Sequence, residues 1–222
     1  MRPRWPRFNR ARISHRLTPC PRRLCGMGAA FLRMERGEGH MAAKLILNIA
    51  VSLDGYIADK AGGYAWITGH GDAGQDTKAQ FSFDKFLAGC GTVVMGRKAY
   101  EECGIRHIDG WQEKRFLVAS HRPRPADAPP NAEFFCGGLA EKVEELKQRA
   151  QGGIWLFGGG QVSSALISAG LVDEAVIGVL PVILGAGRRL FSCEMPTRLL
   201  HLEECTVTDG IAMLRYTNRG RS

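Results

Sequence analysis

Short apolar runs alternate along this chain with helix-like segments, and this alternation limits the folds that the chain can adopt. The run LILNIAVSL, at 45–53, is almost wholly apolar, which is typical of a central strand buried on both faces. Further strand-like runs follow at 92–96, 115–120, 133–136 and 154–157. Helical patterns separate most of these runs. The alternation predicts an α/β domain with a mainly parallel central sheet.

The C-terminal part of the chain departs from this alternation. The run at 173–185 predicts a strand that Pro181 must end or bulge, because proline cannot donate to a sheet ladder. Two further apolar segments flank Asp209-Gly210, a pair typical of a two-residue hairpin turn. We therefore expect an antiparallel hairpin at the edge of the sheet.

The net charge is concentrated in residues 1–40. This segment holds ten arginines, two glutamates and no lysine, which accounts for the whole formal charge of +8. We interpret it as a basic, disordered extension, and three origins stay open. It is a targeting peptide, a basic arm for nucleic acid or membrane, or sequence translated from a start placed upstream of Met41. The neutral remainder, 41–222, is expected to form one domain that binds neither nucleic acid nor membrane.

The cysteine pattern and the apolar run lengths bear on the cell compartment. Seven cysteines are scattered without a C-x-x-C pair, which argues against a disulfide framework or a metal site. No run reaches the roughly 18 apolar residues of a membrane span. These features favour a cytoplasmic protein with reduced thiols.

Three of the predicted strands run directly into turns rich in glycine or cationic side chains. One strand ends at Gly96 and continues with Arg97 and Lys98, one ends at Ser120, and one ends at the three glycines 158–160. In parallel α/β sheets, ligands bind beyond the carboxyl ends of strands, where helix N-termini offer N–H groups to phosphate. The pattern predicts a dinucleotide site, although its spacing is not that of the Rossmann G-x-G-x-x-G motif.

Four segments, in this order and spacing, resemble the dihydrofolate-reductase-like superfamily: NIAVSLDGYIA, TVVMGRKAYE, WLFGGGQV and VLPVILGAGRRLF. The resemblance extends over residues 44–218. It is closest to the stand-alone relatives of the reductase domain of bifunctional riboflavin-biosynthesis deaminase–reductases. It implies a three-layer α/β fold, NADPH as the cofactor, and a homodimer.

The resemblance also implies which residues hold NADPH. The residues near the adenosine phosphates would be Gly96, Arg97 and Lys98. Ser120, with His121 or Arg122, would face the 2′-phosphate. The residues that cradle the pyrophosphate would be Gly158, Gly159, Gly160, Gln161 and Val162.

Two carboxylates are candidate catalytic residues. Asp54 follows the first strand, where the nicotinamide is expected; alternatively it stabilises its own turn through backbone hydrogen bonds. Classical folate reductases carry a carboxylate on the helix before the second strand. At the matching position this chain has Gln80, with Asp76 and Asp84 one helical turn to either side. Asp84 is therefore the second candidate, with an exposed surface position as its alternative.

Two further residues are candidate substrate contacts. The glycine-rich stretch 58–76 is typical of a mobile lid, and Trp66 in its middle either packs near the reacting ring or anchors the loop. Arg188, in the turn GAGRR, either meets a substrate phosphate or lies in an exposed loop.

The leading hypothesis is an NADPH-dependent reductase that transfers hydride to a C=N or C=O bond of a small heterocyclic or sugar-like substrate. A riboflavin-pathway pyrimidine and a pterin are both candidates. Two alternatives stay open: a nucleotide-binding module without catalysis, and a nucleic-acid-binding protein that uses the arginine tail. The last predicts salt-sensitive binding that depends on residues 1–40.

Overall fold

The structure, a computed structural model, describes residues 42–71, 73–103, 110–192 and 194–218. The basic segment 1–40 lies outside these residues. The strands are β1 (Leu45–Ser52), β2 (Tyr56–Asp59), β3 (Cys90–Gly96), β4 (Arg115–Ala119), β5 (Ala132–Phe135), β6 (Gly153–Gly158), β7 (Glu174–Leu180), β8 (Gly187–Arg189), β9 (Leu200–Thr208) and β10 (Ile211–Asn218). The α-helices are α1 (Phe83–Gly89), α2 (Arg97–Glu102), α3 (Leu139–Arg149) and α4 (Gly160–Ser168).

Eight of these strands form one sheet in the order β5-β4-β3-β6-β1-β7-β10-β9. The pairings from β5 to β7 are parallel, and β10 runs antiparallel to both β7 and β9. The expected mainly parallel sheet with an antiparallel hairpin at its edge is therefore confirmed. Strand β1 lies in the middle, which explains why its sequence is apolar without alternation: both of its faces are covered.

The helices lie on both faces of the sheet. On one face, α3 and α4 pack through Val143, Leu146, Val162 and Leu166. On the other face, α1 and α2 pack through Phe83, Phe86, Leu87 and Tyr100. This arrangement confirms the three-layer architecture. Among the described residues, the helices lack the length and apolar content that a membrane crossing requires.

The strand end at Pro181 and the hairpin turn at Asp209-Gly210, both predicted from the sequence, are confirmed. Strand β7 ends at Leu180, directly before Pro181. Asp209 and Gly210 both adopt positive φ, 54° and 78°, as the tight turn between β9 and β10 demands.

A second, two-stranded sheet was not foreseen. Strands β2 and β8 pair antiparallel, with Tyr56 opposite Arg189 and Asp59 opposite Gly187. Each strand is short and lies in a stretch that reads as loop, so neither shows a periodicity that could be recognised. The pairing joins the chain just after β1 to the chain just after β7.

The hairpin turn provides a test of the fold. Replacing Gly210 by alanine places a side chain on a residue with a φ of 78°, so we expect the free energy of unfolding to fall by about 1–2 kcal/mol. Chemical denaturation measures the change. Gly89→Ala is the matched control, because its added methyl group meets nothing within 4 Å and Gly89 has no positive φ. Equal stability of the two variants would contradict the assigned turn.

Candidate active site

The carboxyl ends of four adjacent strands meet at one edge of the sheet. Strand β3 is paired on one side with β4, where Gly96 lies opposite Ala119, and on the other with β6, where Met95 lies opposite Gly158. Strand β1 follows β6 in the sheet. The structure thus brings the three strand ends that the sequence singled out, after β3, β4 and β6, to one edge beside the end of β1.

The three glycines at the junction of β6 and α4 have three different surroundings. Gly158 has a φ of 109°, and an added Cβ would lie 3.2 Å from Ile49 of β1. Gly159 has a φ of 89°, yet a Cβ there would meet nothing within 4 Å, so this residue faces open space. Gly160 begins α4, and its Cβ would overlap the backbone oxygen of Arg189 and lie 3.1 Å from that of Leu190. Only Gly159 therefore combines the special backbone with room for a ligand.

Close packing of β3 against α4 explains Gly96. A Cβ at Gly96 would lie 3.3 Å from a methyl group of Val162, a residue that is 9% exposed. The side chain of Val162 therefore points into the core. Gln161, one residue earlier on α4, is exposed. The first N–H groups of an α-helix have no partner within the helix, so this terminus can accept an anion.

Arg97 is held firmly at the start of α2. Its Nη1 donates to the backbone oxygen of Pro123 at 2.6 Å and to Oγ of Ser120 at 3.2 Å. Its Nε donates to Oε1 of Glu101 at 2.6 Å. The guanidinium carbon lies 5.6 Å from the ring centroid of Phe134. These contacts fix a permanent positive charge between the ends of β3 and β4.

The hydroxyl of Ser120 shapes the turn after β4. It donates to the backbone oxygen of Arg122 at 2.8 Å and accepts from the N–H of Arg122 at 3.1 Å, in addition to its bond from Arg97. His121 is exposed, and its Nδ1 lies 3.7 Å from Sγ of Cys136. Lys98 is exposed on α2. The structure brings Ser120 and Arg97 into contact and leaves His121 and Lys98 on the surface near them.

Asp54 organises the loop after β7. Its Oδ1 accepts from the hydroxyl of Ser52 at 2.6 Å and from the N–H of Leu184 at 3.1 Å; its Oδ2 accepts from the N–H of Gly185 at 2.8 Å. The bond from Ser52 is the largest of the effects that lower the pKa of Asp54 to about 2. The carboxylate is therefore ionised near neutral pH, when it has no proton to donate.

The candidate carboxylates near α1 lie in different surroundings. Asp84 is exposed in the first turn of α1, beside Phe83, whose ring packs edge-on against Trp155. Asp76 accepts from the N–H of Asp209 at 2.6 Å and from Nε2 of Gln80 at 3.3 Å, so it ties the loop to the C-terminal hairpin. Its carboxylate is committed to these partners.

Trp66 and Arg188 both have partners within the chain. Trp66 packs on the apolar cluster around Leu180 and Met213, and its indole N–H donates to the backbone oxygen of Gly63 at 3.2 Å. Arg188, on β8, forms an ion pair with Glu102 of α2. The two residues attach the stretch 58–76 and strand β8 to the rest of the domain.

Sequence reasoning missed Glu101. Its position four residues after Arg97 is the spacing at which helical side chains of opposite charge meet, so a signal was present. Its second oxygen reaches Nη2 of Arg122 at 3.2 Å, on the loop after β4. Nothing in the sequence indicated that contact, because it depends on the parallel pairing of β3 and β4.

Comparison with solved structures defines the class of fold. A dihydrofolate reductase from Enterococcus faecalis, complexed with NADP(H), superimposes with a TM-score of 0.50 at 15% identity, covering 79% of this chain and 96% of that one. A diaminohydroxyphosphoribosylaminopyrimidine deaminase/5-amino-6-(5-phosphoribosylamino)uracil reductase from Thermotoga maritima superimposes with a TM-score of 0.58 at 18% identity, covering 80% of this chain and 57% of that one. The fold is that of the dihydrofolate-reductase-like proteins.

Sequence comparison assigns the chain to one family among the proteins that share this fold. The sequence-family model of the RibD C-terminal domain matches residues 43–212, which is most of the chain. The uncharacterized protein YyaP of Bacillus subtilis is 30% identical over 184 residues, covering 78% of this chain and 94% of that protein. The chain belongs to the RibD C-terminal domain family, as the four motifs indicated.

The hydrogen bonds of Asp54 predict a pH dependence. Because the pKa of Asp54 is lowered from 3.8 to about 2, its contribution to stability is present above about pH 4 and is lost as the pH falls toward 2. We expect Asp54→Asn to be less stable than the wild type at pH 7, with a difference that shrinks across this interval. Denaturant unfolding at a series of pH values measures it, with the exposed Glu144→Gln on α3 as control. A difference that is constant down to pH 2 would contradict the assignment.

Proposed function

We propose that this protein is an NADPH-dependent reductase that transfers hydride to a C=N or C=O bond of a small heterocyclic or sugar-like substrate. The observation that carries the proposal is the convergence, at one sheet edge, of the fixed guanidinium of Arg97 with the open glycine Gly159 at the start of α4. Membership of the RibD C-terminal domain family supports a reductase-type reaction. The complex of the Enterococcus dihydrofolate reductase with NADP(H) supports a nicotinamide cofactor.

The residues at this edge fit a dinucleotide. A pyrophosphate can approach the backbone at Gly159, because this residue has no side chain and an added Cβ would meet nothing within 4 Å. The N-terminus of α4 would supply N–H donors and partial positive charge to it. Arg97, with Ser120 behind it and Lys98 and His121 on the surface nearby, would bind the adenosine phosphates. The nicotinamide supplies the hydride when it is bound.

Asp54 would then act as a positioning residue. Its ionised carboxylate holds the N–H groups of Leu184 and Gly185 and the hydroxyl of Ser52, so it fixes the loop after β7 against the end of β1. In this proposal the proton for the reduced substrate comes from another group, either Asp84 or water. Trp66 and Arg188 remain proposed substrate contacts, since both belong to the segments that border this edge.

Removal of the Arg97 guanidinium tests the cofactor site. We expect Arg97→Ala to weaken NADPH binding at least about tenfold, because a charge-assisted contact to phosphate is lost. Isothermal titration calorimetry of the full chain measures the dissociation constant, with NADH titrated in parallel. The effect on NADH should be smaller, since NADH lacks the 2′-phosphate.

Arg149→Ala is the control for this measurement. Arg149 lies on α3 and pairs with Glu145, and its removal changes the net charge by the same amount. Both variants keep the arginine tail, so any non-specific binding by residues 1–40 cancels. A folded wild type that binds no NADPH would overturn the proposal. NADPH binding without turnover of carbonyl, imine or pterin substrates would favour the catalytically silent alternative.

The proposal includes a homodimer, for which strand β9 offers a surface. Strand β9 is the last in the order of the sheet. Leu199, just before it, is 67% exposed, and Leu200 and Leu202 at its start are 41% and 48% exposed. Exposed apolar side chains on an edge strand favour association with another chain.

A charged substitution on β9 tests the dimer. We expect Leu202→Glu to convert a dimeric wild type to monomer, because a carboxylate would be buried in the contact. Size-exclusion chromatography with light scattering measures the mass. Ile183→Glu, at a residue that is 70% exposed after β7, is the control. A monomeric wild type would contradict the dimer.

A further inference from the structure

Two arginines and one carboxylate form a closed ion-pair cluster beside the proposed adenosine site. Glu101 lies between Arg97 and Arg122: its Oε1 is 2.6 Å from Nε of Arg97, and its Oε2 is 3.2 Å from Nη2 of Arg122. The three side chains come from α2 and from the loop after β4. An ordinary pair along one helix would join only Arg97 and Glu101, whereas here a single carboxylate bridges two elements.

One edge of the Arg97 guanidinium is the edge that a phosphate needs, and Glu101 occupies half of it. Nη1 is committed to the loop after β4, through the backbone oxygen of Pro123 and the hydroxyl of Ser120. The opposite edge consists of Nε and Nη2, and Nη2 has no hydrogen-bond partner among the described residues. A phosphate that binds two guanidinium nitrogens at once needs this edge, because phosphate and guanidinium pair through parallel N–H···O bonds. Glu101 already occupies its Nε.

We infer that Glu101 competes with the 2′-phosphate of NADPH for Arg97 and Arg122, and thereby sets how strongly the protein prefers NADPH to NADH. The inference rests on the proposed function, since it assigns the 2′-phosphate to this cluster. Bound phosphate must either displace the carboxylate from Nε, which breaks the ion pair with Arg97, or lie beside it, which places two groups of the same charge together. NADH has only a ribose hydroxyl at this position, and Glu101 can accept a hydrogen bond from it.

The substitution that tests this inference is Glu101→Gln. The amide oxygen can still accept a hydrogen bond from Nε of Arg97, so the substitution removes the charge while keeping the shape and one bond. Glu101 is 38% exposed at its side chain, so solvent and salt screen the repulsion. We therefore expect a modest change: NADPH binds about threefold to tenfold more tightly to Glu101→Gln, while the affinity for NADH changes less than about twofold.

Glu133→Gln is the matched control. Glu133 also bridges two cations, Arg115 at 2.7 Å and Lys142 at 2.9 Å, and its side chain is 37% exposed. It lies on β5, opposite Leu117 in the middle of β4 rather than at the strand ends. Its substitution changes the net charge by the same amount, so it reports any general electrostatic effect on an anionic ligand.

The experiment measures dissociation constants by calorimetry for the full-length wild type and both variants. The ligands are NADPH, NADH, adenosine 2′,5′-bisphosphate and adenosine 5′-monophosphate. Tighter binding of NADPH and of the bisphosphate by Glu101→Gln alone supports the inference. When the wild type binds NADPH, weaker or unchanged NADPH binding by this variant overturns it, and so does an equal gain for NADH or for Glu133→Gln.

The nucleotide fragments separate this inference from the proposed function. If the wild type binds no NADPH but Glu101→Gln binds the bisphosphate more tightly than the wild type does, with the monophosphate unchanged, the proposed function fails while Glu101 still competes with a phosphate for this cluster. If the wild type binds NADPH and the variant gains nothing, the proposed function stands and the competition fails. If none of the three proteins binds any of the ligands, both are overturned.

Discussion

The close approach of α4 to its surroundings is the constraint on which the rest of the candidate site depends. Helix α4 starts one residue after β6, and the junction is closely packed at three places: Gly158 against Ile49 of β1 and Ser163 of α4, Val162 against Gly96 at the end of β3, and Gly160 against the backbone of Arg189 and Leu190. A side chain at Gly158, Gly96 or Gly160 would push one of these contacts apart. Gly159 faces open space although Gly158 and Gly160 on either side of it are closely packed. The packing that builds the core therefore also places the N-terminus of α4 at the end of β6.

The second constraint is electrostatic, and it acts on the loop that follows β7. Asp54, Ser52 and the N–H groups of Leu184 and Gly185 form one network that spans the ends of β1 and β7. The pairing of β2 with β8 holds the same two segments a few residues further on. Two independent attachments thus fix the chain that follows β1 to the chain that follows β7. A carboxylate is suited to this task because it accepts several hydrogen bonds at once while remaining ionised.

The sequence predicted the fold because its signals were local. Gly96-Arg97, the glycines after β6 and Asp209-Gly210 each mark a junction within a few residues, and the apolar runs between them fit strands of a parallel sheet. The contacts that sequence missed join residues far apart in the chain: Asp54 with Gly185, β2 with β8, and Glu101 with Arg122. They depend on which strands become neighbours, and that order cannot be obtained from periodicity. For the same reason the sequence suggested one role for three glycines, whereas the structure gives each of them a different neighbour.

The environment of Arg97 shows how a cationic side chain is held in place by contacts within the chain. Two guanidinium groups near one another repel, and a site that relied on them alone would hold them poorly until an anion arrived. Glu101 removes this repulsion and fixes Arg97 in the orientation that Phe134, Ser120 and Pro123 also favour. In the proposed site, the order gained in this way would lower the entropic cost of binding, while the carboxylate itself would oppose the charge of an incoming phosphate. The proposed affinity for a phosphate would then be a balance of two opposing effects of the single side chain of Glu101.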